Sequence, residues 1–314
     1  MANKLEKGVI NISLDVEGAW GWLPFENRHT YLDMCKKSQI IIPRLLKLFE
    51  KYNIKVNLAI CGAYSLTNKN DIKTYLEDNR FYRPTNDDYL LKDQEEAFFY
   101  PNIFEIINKS TINHEISSHT FSHIYHSRIK DNVKSRLLFF EDLKKNNSLL
   151  GKKSKNTINS FVYPKNETGH LDVLKDLGLN VFRGNVLETA YSYLDSLKRL
   201  SPIYNEPMGY KIYSNDILGI QSSQYFCLPK SKLKTLILKK TLISRTINGI
   251  EKAIVDKNVF SVWFHPYDFG YKTESNFELL EELLKRIDIL RTNNQIDILT
   301  FNEIYEKIII DRSF

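Results

Sequence analysis

Short apolar runs of strand character recur along this chain, and a stretch patterned for helix separates most of them. The first run covers residues 9–14 and ends at Asp15. Others cover 54–60, ending at Cys61-Gly62; 115–118, entering His119; 160–163, ending at Pro164; 180–182, ending at Arg183-Gly184; and 259–264, entering His265-Pro266. Between and after them, helical patterns occupy about 38–52, a stretch opened by Pro101, 132–149 up to Gly151, 171–177 closed by Gly178, 233–257, 277–291 and 302–310. Alternation of this kind with single crossovers predicts an α/β fold with a parallel sheet. No glycine-rich phosphate loop follows the first strand, so a dinucleotide-type sheet gives way to a barrel. Residues 63–100 are polar and irregular apart from a short helical pattern near 71–77, and are expected to form a lid or rim insertion on a single domain spanning 1–314.

Composition narrows the function classes. The 314 residues carry 44 Lys and Arg against 38 Asp and Glu, a surplus of +6 that is modest for this length. Aromatic residues are not interleaved with basic ones, so a nucleic-acid partner is not expected. Three cysteines, Cys35, Cys61 and Cys227, stand far apart, which argues against a disulfide framework and a cysteine-zinc site. The opening MANKLEKGVINISLDVEG lacks an apolar signal core, and no apolar run approaches the ~18 residues of a membrane span. The expected location is the cytoplasm.

In a parallel barrel all strand ends lie on one face, where active sites are built. Asp15 and Glu17, His119 and His123, Lys165 and Asn166, Arg183, and His265 all fall at such ends. In H-T-F-S-H, His119 and His123 are four apart, so one helical turn would put both imidazoles on one face at metal-ligand spacing; ordinary surface helices show the same pair. Asp15 and Glu17, at i and i+2 of an extended segment, point the same way, and one could complete a metal site while the other acts as a base; helix capping is the bland alternative. His265 follows Val262-Trp263-Phe264, where partial desolvation suits acid–base work and a core histidine is the competing reading. His29, His114, His126 and His170 are read as structural or surface residues, with His126 opening a solvated helix. Trp20, Trp22 and Trp263 could offer ring faces to a ligand or serve as core, and for Trp263, on a buried strand, core is favoured.

Taken in order, SLDVEG, HTFSH, FVYPKNE, FRGN and WFHPYDFG resemble the polysaccharide deacetylase family, the NodB-homology carbohydrate esterases, over roughly residues 8–305. The variety with D-x-E, HTFSH and W-x-H-P is similar to proteins of surface-glycan biosynthesis. The resemblance implies a deformed (β/α) barrel of about seven parallel strands. It implies a hydrolase that removes an N-acetyl or N-formyl group from an amino sugar with the help of one divalent ion, zinc first and cobalt or nickel next. It assigns His119 and His123 as metal ligands, Asp15 as general base and His265 as general acid. The family has two adjacent Asp residues where this chain has Asp15-Val16, so Glu17 is expected to be the third ligand, a role Asp15 could also fill. Tyr163, Lys165 and Asn166 match the loop holding the oxyanion, through the Lys165 N–H. Arg183 and Trp263 are expected to touch the substrate or shape its electrostatics. The family's Arg two residues before the proline is Val162 here, and Lys165 or Arg183 would have to supply the cation.

The substrate is expected to be nucleotide-linked or lipid-linked, in surface polysaccharide or lipopolysaccharide assembly. A hydrolase of a non-sugar C–N bond and a catalytically silent carbohydrate-binding protein of the same fold are the competing readings. Residues 230–245 mix Lys and Arg with Leu and Ile. As a helix they suit an anionic membrane surface or a sugar diphosphate, while an outer barrel helix with its lysines in water is the plain reading.

Overall fold

The structure is a computed structural model that describes residues 5–22, 29–67, 95–154, 156–187, 206–228 and 232–310. Strands β1 (Gly8–Val16), β2 (Asn57–Ile60), β3 (Glu115–Ser118), β4 (Ser160–Val162), β5 (Val181–Gly184), β6 (Tyr210–Ile212), β7 (Leu218–Gln221), β8 (Gln224–Tyr225), β9 (Val259–Phe264) and β10 (Ile296–Ile298) form one sheet in the order β6-β7-β5-β4-β3-β2-β1-β9-β8, with β10 beside β1. Every pairing is parallel except β6 with β7. The sheet curls into an open barrel, the deformed (β/α) barrel expected. Helices α1 (His29–Lys51), α2 (Glu95–Phe98), α3 (Ile103–Asn108), α4 (Asn132–Ser154), α5 (Leu171–Asp176), α6 (Lys232–Asp256), α7 (Thr273–Thr292) and α8 (Phe301–Ile309) complete it.

Alternation along β1 shows how the barrel is filled. Ile10, Ile12, Leu14 and Val16 face outward into the large core shared with the helices. Val9, Asn11, Ser13 and Asp15 face inward. At the lower end, Val9, Val181, Leu218 and Val259 meet Phe301, Ile304 and Ile308 of α8, which plugs the barrel with its apolar face. Thr300 and Glu303 form a capping box at the start of that helix. Above this plug lies a polar belt. Asn11 Nδ2 donates to Asn57 Oδ1 at 2.8 Å, Asn57 Nδ2 to Ser117 Oγ at 3.0 Å, and Ser117 meets Ser160 at 2.8 Å. Above the belt, Asp15 marks the mouth.

Four strands, β6, β7, β8 and β10, are absent from the sequence expectation. They have two to four residues each, too few to display a period of two. Helix α1 begins at His29, earlier than expected, and α4 runs through Gly151 to Ser154. Most of the expected rim insertion, with its helix near 71–77, lies outside the described residues, as does the side chain of His29. Along α6, Leu242, Ile243, Thr246, Ile250 and Ala253 are buried against the sheet, as in the plain outer-helix reading; side chains 229–238 lie outside the described residues. Gly249 permits that contact, since a Cβ there would come within 2.3 Å of the Phe260 ring. Among the described residues no helix is long and apolar enough to cross a membrane.

Candidate functional site

The parallel strands deliver their ends to one cavity of about 240 Å³. Asp15, Glu17, Trp22, His119, His123, Tyr125, Lys165, Asn166, Tyr225, Trp263, His265 and Tyr267 line it. Asp15 is the last inward residue of β1, and Glu17 follows two positions later. Gly21 leaves room for Glu17, because a Cβ there would lie 2.0 Å from its Oε1. His119 leaves β3. His265 leaves β9 on the inward register of Val259, Ser261 and Trp263.

Glu17, His119 and His123 are buried and present ligand atoms within 4.8 Å of one another. Glu17 Oε2 lies 3.0 Å from His119 Nε2 and 2.7 Å from His123 Nε2. The other ring nitrogen of His119 is 2.8 Å from the Val162 carbonyl oxygen. A carbonyl can only accept, so that nitrogen carries a proton, and Nε2 is the atom turned toward the Glu17 carboxylate. Three ligand atoms converging in a buried site are placed to share one cation. Two imidazoles and a carboxylate are the donors zinc accepts, and the carbonyl-bonded far nitrogen is the usual arrangement for a ligating histidine. The residues present therefore fit one divalent ion. Asp15 is not among these donors; it stands beside them.

The two histidines do not share a helical turn, contrary to the expectation from their spacing. They sit on a loop that is kept from coiling by left-handed backbone at Thr120 (φ 61°) and His123 (φ 58°). His126 opens only a single 3-10 turn, His126–Arg128, and is not itself solvated. It is buried, its Nε2 donates to the Glu167 carbonyl at 2.9 Å, and it packs beside Phe139, Tyr163 and His170. His114 is buried too, and burial pushes its imidazole down to about 4.

Arg183, with no exposed surface, reaches the second carboxylate. Its guanidinium donates to Asp15 Oδ2 at 2.6 Å, Ser13 Oγ at 2.6 Å and Asn166 Oδ1 at 3.1 Å, while its face lies 4.8 Å from the Trp263 ring centre. Val162 is its register partner on the neighbouring strand, so the arginine stands one strand over from the position the family motif would give it. Lys165 points elsewhere, its Nζ 5.1 Å from the Tyr125 ring centre and 4.0 Å from Glu167. Asp15 Oδ1 is buried with no hydrogen-bond partner among the described residues.

His265 Nε2 faces both carboxylates, 4.0 Å from Asp15 and 3.7 Å from Glu17. Its Nδ1 lies 3.0 Å from Asp268 Oδ2, which also accepts the His265 backbone N–H at 3.0 Å and the Tyr225 hydroxyl at 2.6 Å. Burial works against the charged ring, but Glu17, Asp268 and Asp15 together raise its pKa to about 9. His265 therefore carries its proton at neutral pH. Glu17 shows the converse. Burial would raise its carboxyl, yet the charges of His123 and His265 and hydrogen bonds from His119 and His123 hold it well below the usual range. Tyr267 stacks on His265 with ring centres 4.6 Å apart and donates to Glu17 Oε1 at 3.1 Å.

Of the remaining sequence candidates, Asn166 lines the cavity and accepts from Arg183. Trp263 is not core as favoured: the inward register carries its ring to the barrel mouth, beside Tyr225 at 4.7 Å. Tyr163 is the reverse. Its ring is fully buried among Phe161, Phe139 and Phe182, and its hydroxyl donates to the Gly169 carbonyl at 2.5 Å, so its side chain does not line the cavity. Trp20 is core, bonded to the Phe98 carbonyl, whereas Trp22 lines the cavity with its ring stacked on Tyr31. Sequence reasoning missed Ser13, Tyr225, Tyr267 and Asp268. For Asp268 a signal existed: in H-P-Y-D, a helix-opening proline and an acid three residues after the histidine spell a capping box, which forms here.

No protein-family profile matches the chain, and no curated protein does. Solved structures do. A protein described as a polysaccharide deacetylase from Mycobacterium smegmatis aligns with a TM-score of 0.63 at 12% identity, covering 98% of this chain and 92% of that one. Another so described, from Pseudomonas aeruginosa PAO1, gives 0.58 at 10% identity, with the same coverages of 98% and 92%. A Puue allantoinase gives 0.57 at 9% identity, covering 95% and 89%. The chain has the polysaccharide deacetylase fold.

Proposed function

We propose that the protein is a metal-dependent hydrolase that removes an N-acetyl or N-formyl group from an amino sugar. Its substrate is carried on a nucleotide or a lipid, in the cytoplasm, during assembly of a surface polysaccharide or lipopolysaccharide. The observation that carries this reading is the arrangement in one cavity of a Glu-His-His donor set, a separate carboxylate clamped by arginine, and a histidine facing both. Glu17, His119 and His123 would hold one divalent ion, zinc by their chemistry, with cobalt or nickel able to replace it. Such an ion, when bound, supplies Lewis acidity, making water acidic near neutral pH and polarising an amide carbonyl.

The chain's own groups do the rest. Arg183 holds Asp15 by Oδ2, which leaves Oδ1 to take a proton from the attacking water. The Lys165 backbone N–H is assigned to the developing oxyanion. His265, held by Asp268, donates its Nε2 proton to the departing nitrogen, which an amide requires because a bare amide anion leaves poorly. Trp22, Tyr225 and Trp263 offer ring faces and edges to a sugar.

A panel of N-acetylated and N-formylated amino sugars, free and nucleotide-linked, tests the reading with the zinc-loaded protein. Release of acetate or formate is the expected result. The rate should fall as pH rises through the pKa of His265. That limb lies at or below about 9, since a cation on Glu17 cancels part of the carboxylate's pull on the imidazolium. Allantoin belongs on the panel because a neighbour in fold is an allantoinase. Turnover of allantoin with none of the sugars would favour the non-sugar C–N reading. Glycan binding with no release from any compound would favour the silent one.

A further inference from the structure

The two ligand histidines are anchored differently. His119 has its far nitrogen bonded to the Val162 carbonyl, whereas His123 Nδ1 is buried with no hydrogen-bond partner among the described residues. A ligating histidine ordinarily donates that second N–H to an acceptor, which fixes the ring. Beyond ring packing against His119 and Tyr125, the approach of His123 is set by its backbone, which is left-handed both at His123 itself and at Thr120. Such a loop persists only when its surroundings over-determine it.

The surroundings are a carboxylate on the middle of α4. Asp142, fully buried, accepts the Phe121 amide on Oδ1 at 2.5 Å and the Ser122 amide on Oδ2 at 3.2 Å, and the Ser122 hydroxyl also donates to Oδ2. One turn later, Asn146 Nδ2 donates to Ser118 Oγ at 2.8 Å and to the Ile60 carbonyl at 3.1 Å, fixing the strand end from which the loop departs. From the other side, the Gly62 and Ala63 amides donate to the Thr120 and Phe121 carbonyls at 3.2 and 2.9 Å. Both central amides of the H-T-F-S-H loop thus end on one buried carboxylate.

We propose that Asp142 is a positioning residue for the metal centre: by collecting the Phe121 and Ser122 amides it sets the approach of His123, and so the affinity and coordination geometry of the site. The proposal rests on the Glu17-His119-His123 reading above. Its test is Asp142→Asn, which keeps the shape of the side chain but turns an N–H₂ group toward donors. Zinc affinity is measured by chelator competition, the visible absorption of the cobalt-loaded protein reports geometry, and melting of the metal-free protein reports folding. The expected result is zinc binding weaker by about 10–100-fold, the usual effect of losing an outer support, with an altered cobalt spectrum. A folded Asp142→Asn protein with wild-type zinc affinity and cobalt spectrum overturns the proposal. If Asp142→Asn does not fold, Ser122→Ala, which removes one donor to the carboxylate, carries the test: weaker zinc binding supports the proposal and unchanged binding overturns it. A wild-type protein that binds no zinc is a different result, and refutes the metal reading itself.

Discussion

Asp15→Asn is expected to bind zinc as the wild type does and yet to lose about 100- to 10,000-fold in the rate of acyl release, the range for removing a general base. The two readouts separate because the structure separates the carboxylates. Glu17 Oε2 meets both histidine nitrogens within 3.0 Å, while Asp15 Oδ2 is engaged by Arg183 and its Oδ1 has no hydrogen-bond partner among the described residues. Asparagine preserves the hydrogen bond from Arg183 and removes the group that takes the proton. Glu17→Gln should do the opposite and abolish metal binding first. Chelator competition beside initial rates on the best substrate measures both. Zinc lost from Asp15→Asn but kept by Glu17→Gln would exchange the two roles.

Arg183→Met is expected to cost both stability and activity. The guanidinium and the Asp15 carboxylate are buried together, and removing one partner of such a pair typically destabilises by about 3–5 kcal/mol because a charge is left uncompensated. Ser13 Oγ and Asn166 Oδ1 lose their donor as well. Denaturant unfolding measures the first effect. The second should appear as a lower kcat with a nearly unchanged zinc affinity, since Arg183 touches no ligand. Lys165→Ala should leave stability close to wild type, because its ammonium lies over Tyr125 on a side chain that is 35% exposed. Equal stability for Arg183→Met and the wild type would contradict the assignment of Arg183 as the partner of the base.

The barrel was legible in the sequence because its longer strands, β1 and β9, are largely buried on both faces and run directly into polar residues, Glu17 and His265. The ionisable side chains of the site were legible for the same reason, since parallel strands carry their ends to one face. What could not be read was conformation inside the loops. The spacing of His119 and His123 matches a helical turn, but two left-handed residues and an aspartate on a distant helix decide otherwise. Nor could the sequence choose between Lys165 and Arg183, because the answer depends on the register of β4 against β5, which places Arg183 level with Val162. Apolar context alone favoured core for Trp263, whereas the family resemblance put it near the substrate; its inward register on β9 takes it to the mouth. Tyr225 lies on a two-residue strand with no pattern to mark it.

The central claim is that Glu17, His119 and His123 form one metal centre. Metal content of the purified protein, taken beside His119→Ala and His123→Ala, tests it most directly. The account predicts about one divalent ion per chain in the wild type, lost from both variants while their metal-free folds persist. A wild type that takes up no zinc, cobalt or nickel on reconstitution, or variants that retain the ion, would contradict it.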